Sequence, residues 1–281
     1  MLDASTLAML KKEALDARIK TIECISSFGS GHIGGSMSMI ETLVYLYYVE
    51  MKIRSDEPDW KERDRLVLSK GHSGPALYAV LAKKGYFPVS ELMTLNQGGT
   101  KLPSHVDMLK TPGIDSTAGS LGQGFSAALG IASAQRLQGY SGSYTYAIVG
   151  DGESQEGQIW EAAECAGAWG VDNLIAFTDV NGQQLDGYTE DIIPMHHLKE
   201  RYETFGFDAY EINGHDFNAI ADAVASAKKV KGKPHMIILN TIKSYGYIPG
   251  EGIKSNHSMS INEETRKSSI EALIKREEAG E

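Results

Sequence analysis

Leu7, Leu10, Ala14 and Ala17 recur at three- and four-residue steps, a spacing that predicts an amphipathic helix running toward Ser27. A Gly/Ser-rich stretch, Gly29 to Gly35, reads as a loop, and a second helix is expected over roughly 37–51. From there, short apolar, β-prone runs alternate with helical patterns. Residues 64–69 form a strand that leads into a helix over 75–84 with Pro75 in its first turn. Leu121, Phe125, Ala128 and Ala132 are expected to share one helix face. The runs 144–149 and 174–180 are strands on either side of a helix near 159–168. His196-His197 opens a short helix to Phe205, and 208–212 and 235–241 are the last strands. Between those two, Asp216 is placed to cap a helix that carries Ile220, Ala223, Val224 and Ala227 on one face. Alternating strands and helices without a linker or repeat imply an α/β fold: a single three-layer domain over residues 1–258, with a mostly parallel sheet covered by helices on both faces. Residues 259–281 are Glu/Lys-rich with Ile270, Leu273 and Ile274 on one face, and read as a charged amphipathic tail.

Composition narrows the partners. The 281-residue chain carries a formal charge of −10, which disfavours nucleic acid or an anionic membrane as its main partner. Cys24 and Cys165 lie far apart within helical patterns and read as small apolar residues, not as a disulfide or metal pair. The start lacks the basic-then-apolar pattern of a signal peptide, and no apolar run approaches a membrane span, so a cytoplasmic location is expected.

The unit from 144 to 180 carries the most chemistry. Strand, turn, helix and strand put Asp151 and Asn181 at the same carboxyl edge of a parallel sheet, where open α/β sheets hold ligands. A carboxylate, an amide oxygen and free carbonyls in the following turn suit magnesium or calcium, with a phosphate completing the set. Gly150 and Gly152 let backbone approach that phosphate closely. Histidines fall in other Gly/Ser-containing loops: His32, His72 at a strand-to-helix junction, His105 and His257. Each alone reads as a hydrogen-bonded loop residue. The adjacent His196 and His197 point in different directions on a helix and read as structural.

Gly150-Asp151-Gly152 and Asn181, with Glu153 to Gly157 and Leu185-Asp186-Gly187, resemble the thiamine diphosphate and metal motif of the transketolase family. SGHIGGSMS at 30–38, DRLVLSKGHSGPALYAVLAKKGYF at 64–87 and TAGSLGQG at 117–124 resemble further blocks of that family, in the family's order. The resemblance runs from about Arg18 to Ser258. It implies the diphosphate-binding fold, with Asp151, Asn181 and the backbone carbonyl of Gln183 as metal ligands. It also implies that His72, Gly119, Leu121, Gly150, Gly152, Glu153 and His257 line the cofactor, and that His32 and His105 handle substrate hydroxyls and proton transfer. Val106 stands where a proline often follows the third histidine, and Ser258 where a glycine often follows the fourth.

A full transketolase has three domains, and this chain matches the first. The glutamate that activates the cofactor belongs to the second, so Glu156 and Glu161 are not its equivalents; in the family that region faces a subunit interface. The resemblance therefore implies the N-terminal subunit of a split transketolase. With a C-terminal partner, as an α2β2 heterotetramer, it would pass a two-carbon glycolaldehyde unit from a ketose to an aldose; a sugar phosphate is the default, with a sulfonated or branched sugar as the alternative. Alternatives are the α subunit of a 2-oxo acid dehydrogenase, a deoxyxylulose-type synthase, or a non-catalytic cofactor-binding regulatory subunit. The two enzyme alternatives usually lack the GHIGG and SKGH loops, and a scaffold has no need of four histidines.

Overall fold

A computed structural model describes residues 1–279. The elements in chain order are α1 (Ala4–Phe28), β1 (Ser30–Gly31), α2 (Ile33–Met37), α3 (Ile40–Tyr45), β2 (Arg65–Leu68), α4 (Gly74–Lys83) and α5 (Gln123–Leu137). There follow β3 (Thr145–Gly150), α6 (Gly157–Ala168), β4 (Leu174–Val180), β5 (Gln183–Gln184), β6 (Gly187–Tyr188), α7 (Thr189–Ile192) and α8 (Leu198–Thr204). The last are β7 (Asp208–Asn213), α9 (Phe217–Ala227), β8 (His235–Asn240), β9 (Met259–Ser260) and α10 (Glu263–Ala279).

The main sheet has the order β2-β3-β4-β8-β7, and every neighbouring pair is parallel. Its two faces are read directly from strand alternation. Tyr146, Ile148, Ile175, Phe177, Ile237 and Leu239 pack with α1, α3, α4 and α9 in one core. Ala147, Val149, Ala176, Met236 and Ile238 pack with α5, α6 and α8 in the other. Burial on both faces is why these strands are near-continuous apolar runs. The molecule is thus three layers, and the carboxyl ends of β2, β3, β4 and β8 open on one edge.

Several local expectations are corrected. The Gly29–Gly35 stretch is not all loop: Ile33 to Met37 are helical. The helix expected over 37–51 is interrupted at Ser38-Met39, and Leu46–Glu50 forms a π-helical turn. Met39 leaves helical geometry (φ −114°, ψ 12°), while the Ser38 hydroxyl turns to the Asp179 carboxylate. Leu121 lies before α5, with Gly122 in left-handed geometry (φ 83°), so it does not share the face of Phe125, Ala128 and Ala132. The helix expected from His196 starts at Leu198, because His197 has φ 57°. Residues 259–279 are docked on the fold rather than trailing from it. β9 pairs antiparallel with β1, Ile261 and Leu273 are buried in the core shared with α1, and α10 keeps its charged face outward. Among the described residues, no helix is long and apolar enough to cross a membrane.

Candidate active site at the carboxyl edge of the sheet

The strand ends enclose a cavity of about 340 Å³. Its lining includes every site residue singled out above: His32, His72, His105, Gly119, Leu121, Gly150, Asp151, Gly152, Glu153, Asn181, Gln183 and His257. Lys70 and Lys243 join them.

Four separate segments deliver the imidazoles. His32 precedes α2, held by β1; His72 lies in a single 3₁₀ turn between β2 and α4. His105 sits on a loop threaded between two others. The N–H of Val106 donates to the Gly71 carbonyl at 3.2 Å, and the N–H of Ala118 donates to the Val106 carbonyl at 3.1 Å. A proline at 106 could not make the first of these bonds. Gly71 is required here, since a Cβ would lie 2.0 Å from the Ala118 carbonyl oxygen. His257 comes from the loop before β9. The four rings form one cluster: His32 lies 5.4, 5.4 and 5.3 Å from His72, His105 and His257, and His72 lies 4.8 Å from His257.

Burial and crowding keep these rings neutral. Burial, then Lys70 and the other histidines, hold His72 well below the ordinary histidine range. Burial, then Lys243, pushes His257 down to about 3. His32 is lowered by burial and then by His105, and His105 itself by desolvation of its ring. Neutral imidazoles both donate and accept, which suits them to substrate hydroxyls.

The floor of the cavity is built from the turns after β3 and β4. Asp151, 3% exposed, accepts the N–H of Gly152 at 2.8 Å and that of Gly182 at 2.7 Å, and makes no salt bridge among the described residues. Burial, and then the neighbouring Asp179, push its carboxyl up to about 7. Asn181 donates its Nδ2 to Asp179 Oδ2 at 2.9 Å, and its Oδ1 accepts the N–H of Gln183 at 3.2 Å. The Gln183 carbonyl accepts from Lys243 Nζ at 3.2 Å. Glu153 does not face the cavity as a free carboxylate. It accepts from the Ser69 hydroxyl and from the N–H groups of Gly122 (2.8 Å) and Gly150 (3.0 Å), clamping three walls together. Burial raises its carboxyl against those bonds.

Sequence reasoning passed over three charged residues. Lys70 is 2% exposed and pairs with Asp179, itself 0% exposed, at 2.6 Å. Lys243 follows β8 on a segment pinned by the Ile242 N–H donating to His215 Nε2 at 2.9 Å and the Ser244 N–H donating to the Gly34 carbonyl at 3.0 Å. Burial lowers its ammonium to about 8. The legible signal was a charge at the polar end of an apolar strand, Asp179 in β4 and Lys243 beyond β8, which in a sheet buried on both faces demands a partner. His196 and His197 lie away from the cavity and are exposed.

Parallel α/β architecture, glycine turns at the strand ends, an anionic floor and an imidazole wall define an α/β protein with a ligand site at the carboxyl edge of its sheet. Residues 10–274 match the family model "Transketolase, thiamine diphosphate binding domain", and the chain belongs to that family. It is 52% identical over 266 residues to the 6-deoxy-6-sulfo-D-fructose transketolase subunit of Clostridium sp. (strain MSTE9), covering 95% of this chain and 96% of that protein. It is 36% identical over 241 residues to an apulose-4-phosphate transketolase subunit of Phocaeicola vulgatus, covering 85% of each. Among solved structures, the transketolase of Campylobacter jejuni superposes with a TM-score of 0.87 at 32% identity, over 95% of this chain and 43% of that one. The Leishmania mexicana enzyme gives 0.84 at 29% identity, over 96% and 46%. The chain thus spans less than half the length of these solved transketolases and most of the length of the two relatives named as subunits.

Proposed function

We propose that this chain is the diphosphate- and metal-binding half of a two-chain transketolase, and that its donor is a ketose with a terminal anion, 6-deoxy-6-sulfo-D-fructose being the first candidate. The observation that carries the reading is the convergence of four imidazoles, from four separate segments, beside the Asp151–Asn181–Gln183 floor of one cavity. The relative named for the sulfonated sugar, at 52% identity, supports the choice of donor.

The floor fits a divalent cation by its own chemistry. Asp151 is a buried carboxylate pushed up by burial against two backbone N–H bonds and the charge of Lys243, so an approaching cation stabilises its charged form. The Asn181 oxygen and the Gln183 carbonyl supply neutral ligands, and the buried Gln183 Oε1 has no partner among the described residues. One carboxylate, two amide oxygens and phosphate oxygens make a set suited to magnesium, or to calcium. Thiamine diphosphate, when bound, supplies a nucleophilic carbon and an electron sink for cleaving the bond beside a ketone. Lys243 offsets diphosphate charge from the side, and Gly119, Leu121, Gly150 and Gly152 let backbone lie against it. His72 and His257 bond to the diphosphate or the substrate; His32 and His105 orient substrate hydroxyls and move their protons.

The activating glutamate comes from a C-terminal partner chain, in an α2β2 assembly. Leu185, 65% exposed, lines the cavity and is covered by that partner together with the exposed Ile193 and Ile253 (53% and 43%). The test is to purify this chain alone and with the partner, then measure exchange of the thiazolium hydrogen and two-carbon transfer from 6-deoxy-6-sulfo-D-fructose, fructose 6-phosphate and apulose 4-phosphate. Activity only in the complex, with the sulfonated donor preferred, is expected. Full activity from this chain alone overturns the two-chain reading, and equal use of all three donors overturns the choice of donor.

A further inference from the structure

Asp179 lies behind the cavity lining and not in it, yet both side-chain ligands of the floor depend on it. Its backbone carbonyl accepts the N–H of Asp151 at 3.1 Å. Its Oδ2 accepts from Ser38 Oγ (2.6 Å), Lys70 Nζ (2.6 Å) and Asn181 Nδ2 (2.9 Å), and its Oδ1 accepts from Thr241 Oγ1 (2.5 Å). The residue is fully buried.

The two ends of an asparagine amide are nearly alike in shape and opposite in chemistry. A half-turn about the last bond replaces an oxygen ligand with an N–H dipole that repels a cation. Here the choice is made from behind: the carboxylate that pairs with Lys70 takes the NH₂ end, and the Gln183 N–H meets the oxygen end. We propose that Asp179 is a positioning residue that fixes the amide orientation of Asn181, so that its oxygen is the end presented to the cation. A hydrogen bond to a charged group is strong enough to hold one orientation. The same carboxylate anchors Ser38 beside α2, Lys70 at the end of β2 and Thr241 at the end of β8, so one buried residue sets the spacing of the cavity walls.

This inference rests on the cation reading above, and the experiment separates the two. Magnesium is titrated into the assembled two-chain complex at saturating thiamine diphosphate, followed by calorimetry and by the cation-dependent rise in melting temperature. Asp179→Ala is expected to weaken magnesium binding about 10–100-fold, as loss of a group that orients a ligand does. Asp179→Asn keeps an oxygen for the Asn181 NH₂ and is expected to recover most of the affinity. Equal loss in the Asn and Ala variants means that charge alone acts, and overturns the positioning role. A crystal structure of the wild-type complex with magnesium bound tests the idea even if Asp179→Ala fails to fold. Asn181 is expected to keep its Nδ2 on Asp179 and its Oδ1 toward the cation. An amide turned the other way, or an Nδ2 that has left Asp179, overturns the proposal. If Asp151→Ala binds magnesium like the wild type, the cation reading itself fails instead.

Discussion

Asp151 Oδ2 accepts the backbone N–H of Gly182 at 2.7 Å, tying the turn after β3 to the turn after β4. One carboxylate thus shapes the floor as well as charging it. Asp151→Ala is expected to cripple binding of thiamine diphosphate with magnesium. Asn181→Ala is expected to weaken it less, since a neutral ligand gives up less Coulomb energy. Calorimetric titration of both variants in the two-chain complex checks the order; wild-type affinity in Asp151→Ala contradicts it.

His105 is the most exposed of the four clustered histidines, standing on a loop held by backbone bonds on both sides. His105→Ala is expected to leave cofactor affinity nearly unchanged and to lower kcat/KM for donor cleavage roughly a hundredfold, the usual loss for an acid–base group. Steady-state kinetics alongside cofactor titration separate the two effects. Unaltered turnover assigns the residue to loop structure alone.

The imidazole cluster also makes a pH prediction. All four histidines have folded-state values below the ordinary one, so the unfolded chain takes up protons first as the solution is acidified. The histidine contribution is therefore complete above about pH 6.5 and falls as pH drops below it, continuing toward pH 3 for His257, while Asp151, raised to about 7, works in the opposite sense over the same range. Each histidine contributes at most about 1.4 kcal/mol per pH unit between its folded and unfolded values, and solvent screening reduces the shares of the half-buried His32 and His257 and of the more exposed His105. Urea unfolding at about pH 7.5, 6.5 and 5.5 measures the slope. His257→Asn is expected to flatten it, and an unchanged slope counts against a neutral cluster.

Two glycines predict opposite outcomes. A Cβ on Gly167 of α6 would fall 1.6 Å from the Phe205 carbonyl oxygen, so α6 and the chain after α8 meet backbone to backbone. Gly167→Ala is expected to cost about 1–3 kcal/mol or more through forced separation. Gly130, exposed in α5, has nothing within 4 Å of its Cβ position. Gly130→Ala is expected to stabilise the isolated chain by roughly 0.5–1 kcal/mol. Chemical denaturation of both variants tests the pair.

Much of the fold was legible because the sheet is buried on both faces: β3 and β4 announce themselves as unbroken apolar runs, and Asp216 caps α9 where its pattern begins. The break at Ser38-Met39 was not legible. It is imposed by a partner, Asp179, that lies 141 residues away, and local periodicity carries no trace of it. The same holds for α10, whose one buried leucine gains meaning only once α1 lies beneath it. At the cavity, the glycine turns and histidines were readable as blocks. Asp179 and Lys243 were signalled only as charges at the ends of apolar strands, and the partners that give them and Lys70 their roles lie in contacts between strand ends and not in any local spacing.

The two-residue ladder of β1 and β9 pairs Ser30 with Ser260 and Gly31 with Met259, and it brings His32 within 5.3 Å of His257. This gives the site an order of assembly in time. At about 5–20 residues per second of synthesis, His32 leaves the ribosome on the order of tens of seconds before His257 does. The Asp151 floor can gather between those two events, but the imidazole wall cannot close until β9 reaches β1. The cavity is complete only when the last strand clasps the first.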